Sequence, residues 1–378
     1  MEKMYYIDNA ATTKMFDDVA EETKKYLVDD FYNPSAVYNL SVNIKRKVDE
    51  ARKNLLKCLG GEDGNLVFTG SATEANNMVV FSQTNRLNKK FLFGAGEHPS
   101  IIECAKELIL RGYKVEFIPL NNKGMIDFEK YKSMVDENVA FISVQHVSNE
   151  TGAVNDIKKL ADYAKRINPN VLFHSDGVQA FMKFAYRVQS LNVDFYTISA
   201  HKIGGPKGIG ALYIKKGSKI KPLILGGGQE NGLRSGTENV FGIISFSLCA
   251  EKMKNDMQRN IENVKKYRND FIKELEDNGF NFIIHGDEGV PHTMNIMLKS
   301  GLRGETLVHA LESRGVYIST GSACSATKNL NRTLEAMGIN KDEILSSVRI
   351  SFSAYQDFNA KEVVKIIKEE VIKLSGRL

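Results

Sequence analysis

Between residues 66 and 216, seven short apolar runs alternate with stretches of helical character, and this alternation constrains the fold more than any other feature. The runs are LVFTG from 66, FLFGA from 91, VEFIPL from 115, VAFISVQHV from 139, VLFHSD from 171, DFYTISA from 194 and GALYIKK from 210. Several are apolar at successive positions, which is typical of strands in a sheet that is covered on both faces. Strand and helix in succession predict an α/β domain with a mostly parallel sheet.

The rest of the chain indicates a second, smaller domain. A chain of 378 residues is too long for one ordinary core. After a long helical region at about 241–279, the sequence has strand candidates FNFIIHG, HTMNIML and VYIST, a helix near 304 and a C-terminal helix. We predict a large domain over 14–255, with its seven-stranded sheet between helices. Residues 1–13 and 256–378 are predicted to form a small α+β domain.

Composition narrows the classes of function. Apolar residues make up 42% and charged residues 26%, as in soluble globular proteins. The net charge of +5 comes from mixed charges without a long basic block, so no nucleic-acid surface is expected. No apolar run reaches the length of about 18 residues that a membrane span needs, and MEKMYYIDNAATT lacks the pattern of a signal peptide.

The cysteines are too far apart for the spacing of a zinc site or a disulfide framework, and no metal ligand set is expected. They are Cys58, Cys104, Cys249 and Cys324. Free thiols fit a cytoplasmic protein.

The stretch FTGSATEANNMVVF, from 68 to 81, joins a predicted strand to a predicted helix that begins near Thr73. Free backbone amides and the positive end of the helix dipole make such a junction a good phosphate site, and Ser71 and Thr73 add hydroxyl groups. The same residues also fit a simple N-cap with Glu74 in the first turn. Taken alone, the stretch favours the N-cap interpretation.

Two further strand ends place polar residues at the same edge of the sheet. Asp176 ends VLFHSD and is either a helix cap or a buried carboxylate that faces a cation, with Gln179 three residues later. DFYTISAHK delivers Ser199, His201 and Lys202, and a lysine desolvated there becomes an amine nucleophile. Lys207 is an equally basic neighbour, and spacing does not distinguish the two lysines.

A histidine and a thiol complete the set of candidates. His98 follows another strand in GAGEHPSI, and Cys324 lies among small residues in STGSACSA, where nearby positive charge would make the thiol reactive. A buried, inert cysteine is the alternative. A lysine amine, a carboxylate, a stacking histidine and phosphate donors are together what an enzyme dependent on pyridoxal phosphate requires.

The chain resembles cysteine desulfurases of the NifS/IscS type, in the class V aminotransferase group of fold-type I pyridoxal phosphate enzymes. The motifs that carry the resemblance occur in family order along nearly the whole chain. They are YIDNAATT, NPSA, GSATEANN, EHPSI, SNETGAV, HSDGVQA, SAHKIGGPKGIGALYI, GGGQENGLRSGTENV, GSACSA and VRISFS.

The resemblance implies a role for each matching residue. Lys202, and not Lys207, matches the Schiff-base lysine, and Asp176 and Gln179 match the partners of the cofactor's ring nitrogen and phenolate oxygen. His98 matches the catalytic histidine that stacks on the ring and takes part in proton transfer. The residues matching the phosphate site are Ala72, Thr73, Ser199, Ala200 and His201, with Thr237 reaching the neighbouring subunit. The residues matching the substrate site are Asn149, Arg349 and Asn33, and Asn149 also matches a residue beside the cofactor ring.

The resemblance also implies the reaction. Lys202 removes the α-proton of L-cysteine, Cys324 takes the sulfur as a persulfide, and L-alanine is released. The expected partners are a second copy of the chain, in a homodimer with shared sites, and a sulfur-acceptor protein of iron–sulfur assembly or tRNA thiolation. Selenocysteine lyase activity is the alternative. Departures from the family pattern at NPSAVYNL, TKNLNRTLEAMG and the residues after Arg349 affect the expected substrate preference and acceptor more than the reaction.

Overall fold

The computed structural model describes residues 4–84, 89–286, 289–321 and 330–376. All seven predicted strands are present in it, and further strands lie on either side of them in the sequence. The strands are β1 (Tyr5–Tyr6), β2 (Asn65–Thr69), β3 (Lys90–Gly94), β4 (Lys114–Ile118), β5 (Val139–Ser143), β6 (Leu172–Asp176), β7 (Phe195–Ser199), β8 (Gly210–Ile214), β9 (Phe282–His285), β10 (Thr293–Leu298), β11 (Val316–Tyr317) and β12 (Ser347–Ser351).

The large sheet has the strand order β2-β8-β7-β6-β5-β3-β4. Strands β3 to β7 pair in parallel, whereas β8 is antiparallel to both of its neighbours, β2 and β7. The prediction of a mostly parallel seven-stranded sheet is confirmed. Because the carboxyl ends of the parallel strands meet at one edge, the motifs that follow β3, β6 and β7 lie at a common rim.

The helices cover the large sheet and complete a smaller unit. They are α1 (Asp17–Thr23), α2 (Lys25–Val28), α3 (Asn39–Leu59), α4 (Ala72–Phe81), α5 (Pro99–Leu110), α6 (Phe128–Met134), α7 (Ile157–Ile167), α8 (Val240–Asn255), α9 (Met257–Asp277), α10 (Gly304–Glu312), α11 (Arg332–Ala336), α12 (Lys341–Ser346) and α13 (Ala360–Ser375). No helix among the described residues is both long enough and apolar enough to cross a bilayer.

The helical region predicted at about 241–279 is two helices, so the prediction of one continuous region is wrong at Asp256. This residue lies between α8 and α9, and its carboxylate accepts a hydrogen bond from the Tyr355 hydroxyl at 3.0 Å. Helix α8 packs on α3, whereas α9 packs on α13. The break therefore redirects the chain from one packing partner to another.

The buried apolar side chains form several clusters, and the two largest belong to different parts of the chain. One contains buried residues from Val19 to Met253 and fills the space beside the large sheet. The other combines Tyr5 and Ile7 with residues from Val264 to Val371. Its strands are the antiparallel set β9-β10-β12 and the parallel pair β1-β11. The domain boundaries given above remain a prediction.

Candidate active site

Lys202 follows β7 and extends its amine toward the chain's first residues. Its Nζ donates hydrogen bonds to the carbonyl oxygens of Ala10 and Ala11, at 2.6 and 2.7 Å. Desolvation lowers the pKa of this amine to about 8, and the positive charge of Arg349 acts in the same direction. A substantial fraction of Lys202 is therefore neutral and nucleophilic near physiological pH. Lys207 is exposed on the following turn.

Asp176 is the last residue of β6 and is buried. Its Oδ2 accepts a hydrogen bond from the Asn76 amide at 2.8 Å, and its Oδ1 accepts one from the backbone N–H of Val178 at 3.0 Å. Asn76 comes from α4, so the first helix after β2 orients the carboxylate at the end of β6. These neutral donors hold Asp176 in place and leave its charge available for a cationic ring nitrogen.

His98 caps α5, and the cap determines the orientation of its ring. Its Nδ1 accepts the backbone N–H of Ser100 at 3.2 Å and lies 2.9 Å from the Ser100 hydroxyl. Because Nδ1 is an acceptor, the neutral ring carries its proton on Nε2. Desolvation lowers the pKa of His98, although the Asp176 carboxylate opposes the shift. The ring is therefore suited to stack while uncharged.

Gln179 lies three residues after Asp176, and Lys183 contacts its side-chain amide. The buried amine of Lys183 donates to Gln179 Oε1, while Gln179 Nε2 donates to the carbonyl of Ala10 at 3.0 Å. Since the Ala10 carbonyl can only accept, Nε2 must face it, and Oε1 therefore faces Lys183. The NH₂ group of Gln179 consequently points toward the carbonyl that also accepts from Lys202.

The start of α4 combines the features of an anion site with those of a capped helix. The Ser71 hydroxyl accepts the backbone N–H of Glu74 at 3.2 Å, so the N-cap interpretation is correct for Ser71. The amides of Ala72 and Thr73 belong to the first turn and have no carbonyl partner within the helix. Gly210 of β8 packs under this turn, because a Cβ at that position would lie 2.7 Å from the Ala72 nitrogen.

Two carboxylates hold Arg349, which lies on β12 and is buried. Its Nη2 donates to Asp8 Oδ1 at 3.0 Å, and its Nη1 lies 3.3 Å from Glu150 Oε1 and 3.2 Å from the carbonyl oxygen of Asn149. Desolvation acts to lower the pKa of Arg349, but Glu150 and Asp8 outweigh it and raise the pKa. The guanidinium is a permanent cation with a fixed direction.

These groups share one cavity of about 520 Å³ at the carboxyl edge of the large sheet. The predicted site residues that line it are Ala72, Thr73, His98, Asn149, Asp176, Gln179, His201, Lys202 and Arg349. His201 is neutral there, because desolvation and the neighbouring lysines lower its pKa to about 4. The structure thus brings most of the predicted site together.

Of the predicted residues that the structure describes, four are not among those that line the cavity. Ser199 and Ala200 are buried behind it, at the end of β7. Asn33 is exposed, and its Oδ1 accepts the backbone N–H of Ser35 at 2.9 Å. Thr237 lines a separate small cavity with Gly70 and Arg234.

Cys324 lies outside the described residues, whereas the other three cysteines are free and buried. Burial raises the thiol pKa to about 11 for Cys58, about 11 for Cys104 and about 12 for Cys249. All three are therefore protonated at neutral pH and are poor nucleophiles.

Sequence reasoning missed the residues that orient the site. Asp8, Asn76 and Glu150 stand in the motifs YIDNAATT, GSATEANN and SNETG, but the pattern did not show which side chains they hold. Lys183 lies outside every motif that the sequence analysis singled out. Each depends on a contact with a residue more than fifty positions away, apart from Lys183, whose burial gave no signal in the sequence.

The profile of the aminotransferase class-V family matches residues 5–364, which includes every element that forms the cavity. The chain belongs to the class-V aminotransferase family. A solved NifS-like protein, 30% identical, superposes on this class-V chain with a TM-score of 0.90 and covers 99% of this chain and 100% of its own. The predicted fold is confirmed by this similarity.

The curated relatives of this class-V chain carry the names of cysteine desulfurases. "Cysteine desulfurase IscS" of Dictyoglomus turgidum is 33% identical over 385 residues, which cover 99% of this chain and 97% of the relative. "Cysteine desulfurase IscS 1" of Archaeoglobus fulgidus is 33% identical over 93% of this chain and 92% of the relative. The resemblance to the NifS/IscS type is confirmed.

Proposed function

We propose that this class-V chain is a cysteine desulfurase that uses pyridoxal 5'-phosphate to convert L-cysteine to L-alanine and leaves the sulfur as a persulfide on Cys324. The observation that carries the proposal is the convergence of Lys202, Asp176 and Arg349 on one cavity. An amine of lowered pKa, a buried carboxylate and a fixed guanidinium are the groups that an amino-acid substrate and this cofactor need.

The donor set around the cavity fits the cofactor. The first-turn amides of α4, the Thr73 hydroxyl and the neutral ring of His201 are suited to hold its phosphate. Asp176 would stabilise a protonated ring nitrogen, Gln179 would donate to the phenolate oxygen and His98 would stack on the ring. When bound, the group supplies an electron-accepting ring that stabilises negative charge at the substrate's α-carbon.

Arg349 would bind the substrate carboxylate. A guanidinium whose direction is fixed by Asp8 and Glu150 presents its remaining donor positions with little loss of side-chain entropy. Its Nε makes no hydrogen bond to the described residues. This unpaired, buried donor supports the assignment.

Lys202 would act as the base. With a pKa of about 8, its free amine can remove the α-proton at neutral pH and return it to the product. The carbonyl oxygens of Ala10 and Ala11 accept hydrogen bonds from this amine. They therefore fix the position from which it moves the proton.

Cys324 would receive the sulfur. Its thiolate Sγ attacks the sulfur of the substrate, a sulfur–sulfur bond forms and the carbon–sulfur bond breaks. The electron pair of that bond stays with the carbon, which gains a proton and becomes the methyl group of alanine. The persulfide then passes its outer sulfur to an acceptor protein, and we propose one of iron–sulfur assembly or tRNA thiolation.

We also propose a homodimer in the cytoplasm, with Thr237 reaching the phosphate of the partner's site. Two groups of exposed apolar side chains support a contact between copies. One lies at the start of α3, with Val37, Leu40 and Val42, and the other is the segment from Leu223 to Leu225.

The proposed function is tested by a spectrum and a product assay on purified enzyme. We expect an absorption band near about 400 nm, as for a pyridoxal group bound to a lysine, and the formation of alanine and sulfide from L-cysteine. Cys324→Ala should keep the band and lose sulfide formation, whereas Cys58→Ala, at a buried cysteine, should keep both. Turnover that is indifferent to Cys324, or that requires selenocysteine instead of cysteine, would contradict the proposal.

A further inference from the structure

Glu150 joins the substrate-binding wall of the cavity to another part of the chain. Its carboxylate is 1% exposed, and both oxygens accept hydrogen bonds. Oε1 lies 3.3 Å from Arg349 Nη1 and accepts the Asn149 amide at 2.8 Å. This oxygen therefore helps to fix the guanidinium that would hold the substrate carboxylate.

The other oxygen of Glu150 holds the start of α11. Oε2 accepts the Asn331 Nδ2 amide at 2.7 Å. Asn331 is the N-cap of α11, and its Oδ1 accepts the backbone N–H groups of Thr333 and Leu334 at 3.2 and 3.3 Å. Since Oδ1 is occupied by the cap, the NH₂ group must face Glu150, and the orientation of the amide is unambiguous.

Gly321 packs directly against the same pair. A Cβ on Gly321 would lie 2.1 Å from Glu150 Oε2 and 2.8 Å from Asn331 Nδ2, and its φ of +77° also favours glycine. The Gly321 amide donates to the Ser319 hydroxyl at 3.0 Å, and the Ser319 backbone pairs with that of Arg349. The residue before 322 is thus held between Glu150 and the strand that carries Arg349.

Gly321 and Asn331 bracket residues 322–329, which contain Cys324. We propose that Glu150 is a positioning residue for sulfur transfer. One carboxylate orients Arg349 and fixes both ends of the segment that carries the thiol, so the group that binds the substrate carboxylate and the residues flanking the sulfur acceptor share one anchor. The inference rests on the proposed function, because it takes Cys324 as the sulfur acceptor.

A charge-conserving exchange of the Glu150–Asn331 pair tests the proposal. Glu150→Gln leaves one acceptor oxygen for two donors, Arg349 and Asn331. Asn331→Asp places a second carboxylate against that of Glu150. In the double variant, the new amide at position 150 donates to the new carboxylate at position 331, the amide oxygen still accepts from Arg349, and aspartate remains a good N-cap. We expect each single change to slow persulfide formation on Cys324 by about 10-fold or more, as for the loss of a hydrogen bond to a charged group, and the double variant to recover most of this loss.

Separate rate constants distinguish positioning from a general structural defect. Asn331→Asp should lower kcat with little change in KM for cysteine, because Asn331 contacts Oε2 of Glu150 and not the Oε1 that faces Arg349. Glu150→Gln should change both kcat and KM. Exchange of the α-hydrogen of L-alanine, which contains no sulfur, should stay near the wild-type rate in Asn331→Asp. Gly321→Ala should behave like Asn331→Asp. Gly338→Ala, with the same positive φ but open space around the added Cβ, is the control.

A readout that needs no activity measures the anchor itself. In the protein without substrate, the backbone amides of Gly321, Thr333 and Leu334 should exchange with deuterium faster in both single variants and return toward the wild-type rate in the double variant. Unchanged exchange, or a double variant no better than its parents in persulfide formation, would overturn the proposal. If the wild-type enzyme makes no persulfide, the proposed function fails and the positioning role falls with it, while amide exchange still shows whether Glu150 anchors the two ends.

Discussion

The two basic groups of the cavity respond to burial in opposite ways. Lys202 follows a strand of the large sheet and Arg349 lies on a strand of the small one, and both lose most of their solvent. The pKa of Lys202 nevertheless falls to about 8 while that of Arg349 rises. The difference lies in their partners. Lys202 donates to two carbonyl oxygens, whereas Arg349 faces the carboxylates of Asp8 and Glu150.

The comparison shows how one fold places an amine of lowered pKa and a fixed cation in the same cavity. Neutral acceptors hold an amine in position without fully compensating its desolvation, so it can lose its proton near neutral pH. Paired carboxylates outweigh the desolvation of the guanidinium and raise its pKa, so it stays charged. Direction comes from hydrogen bonds in both cases, but only one group is able to move a proton.

The largest effect should follow from making the base permanently charged. Lys202→Arg keeps a cation at the same place but removes the amine, so α-proton removal should fall by about 1,000-fold or more. The rate of α-hydrogen exchange in the substrate measures this step. Lys207→Arg, the same substitution five residues later on an exposed turn, should leave the rate unchanged. Appreciable exchange in Lys202→Arg would remove Lys202 from its assigned role.

The lowered pKa of Lys202 should be visible in the chemical reactivity of the protein without cofactor. Only a neutral amine is acylated, so labelling of Lys202 by trace acetic anhydride should rise with pH and reach half its maximum near pH 8. Ordinary exposed lysines titrate at about 10.4. Mass spectrometry of the labelled peptides gives the midpoint. A midpoint in the ordinary lysine range would contradict the difference between the two basic groups.

Replacing the guanidinium by an amine should separate charge from geometry. Arg349→Lys keeps a positive charge but loses the bidentate fork, and we expect KM for cysteine to rise by about 10-fold to 100-fold with a smaller change in kcat. Steady-state kinetics measures both. Arg314→Lys is the matched control, because Arg314 also pairs with two carboxylates, Glu369 and Glu370, but lies outside the cavity. Equal effects of the two variants would argue against a substrate contact at Arg349.

The smallest effect should come from removing the Asp8 carboxylate, whose charge acts on both Lys202 and Arg349. Asp8 pairs with Arg349, and its charge also acts to raise the pKa of Lys202. Asp8→Asn should therefore move the labelling midpoint of Lys202 downward, below about 8. Asp17→Asn, at an exposed aspartate paired with Lys14, should leave the midpoint in place. An upward movement in Asp8→Asn would mean that Asp8 does not act on Lys202 through its charge.

The sequence predicted the cavity residues near the strand ends better than those that are positioned by contacts between distant segments. Asp176 ends an apolar strand, His98 and Lys202 come within a few residues of one, and parallel strands end at one edge whatever the details of packing. The start of α4 was also readable, because an N-cap signal is local. For these residues the local pattern and the family motifs pointed to the same place.

The rest depends on contacts that no local pattern encodes. Arg349 meets Asp8 and Glu150 only after three distant segments come together, and β12 itself was a motif without a predicted neighbour. The break at Asp256 follows from the different packing partners of α8 and α9 and not from a helix-breaking residue. Asn33 and Thr237 were placed by resemblance, and in a single chain they lie away from the cavity.

The pairing of β1 with β11 has a consequence for how the protein is made. Tyr5 aligns with Val316, and the carbonyl oxygens that hold Lys202 lie on the same opening segment, at Ala10 and Ala11. At a translation rate of roughly 5–20 residues per second, about 15 to 60 seconds separate the synthesis of the two strands on the ribosome. The large sheet can form during that interval, but β1 cannot pair until β11 has been synthesised. Lys202 therefore acquires its final surroundings only after most of the chain has been synthesised.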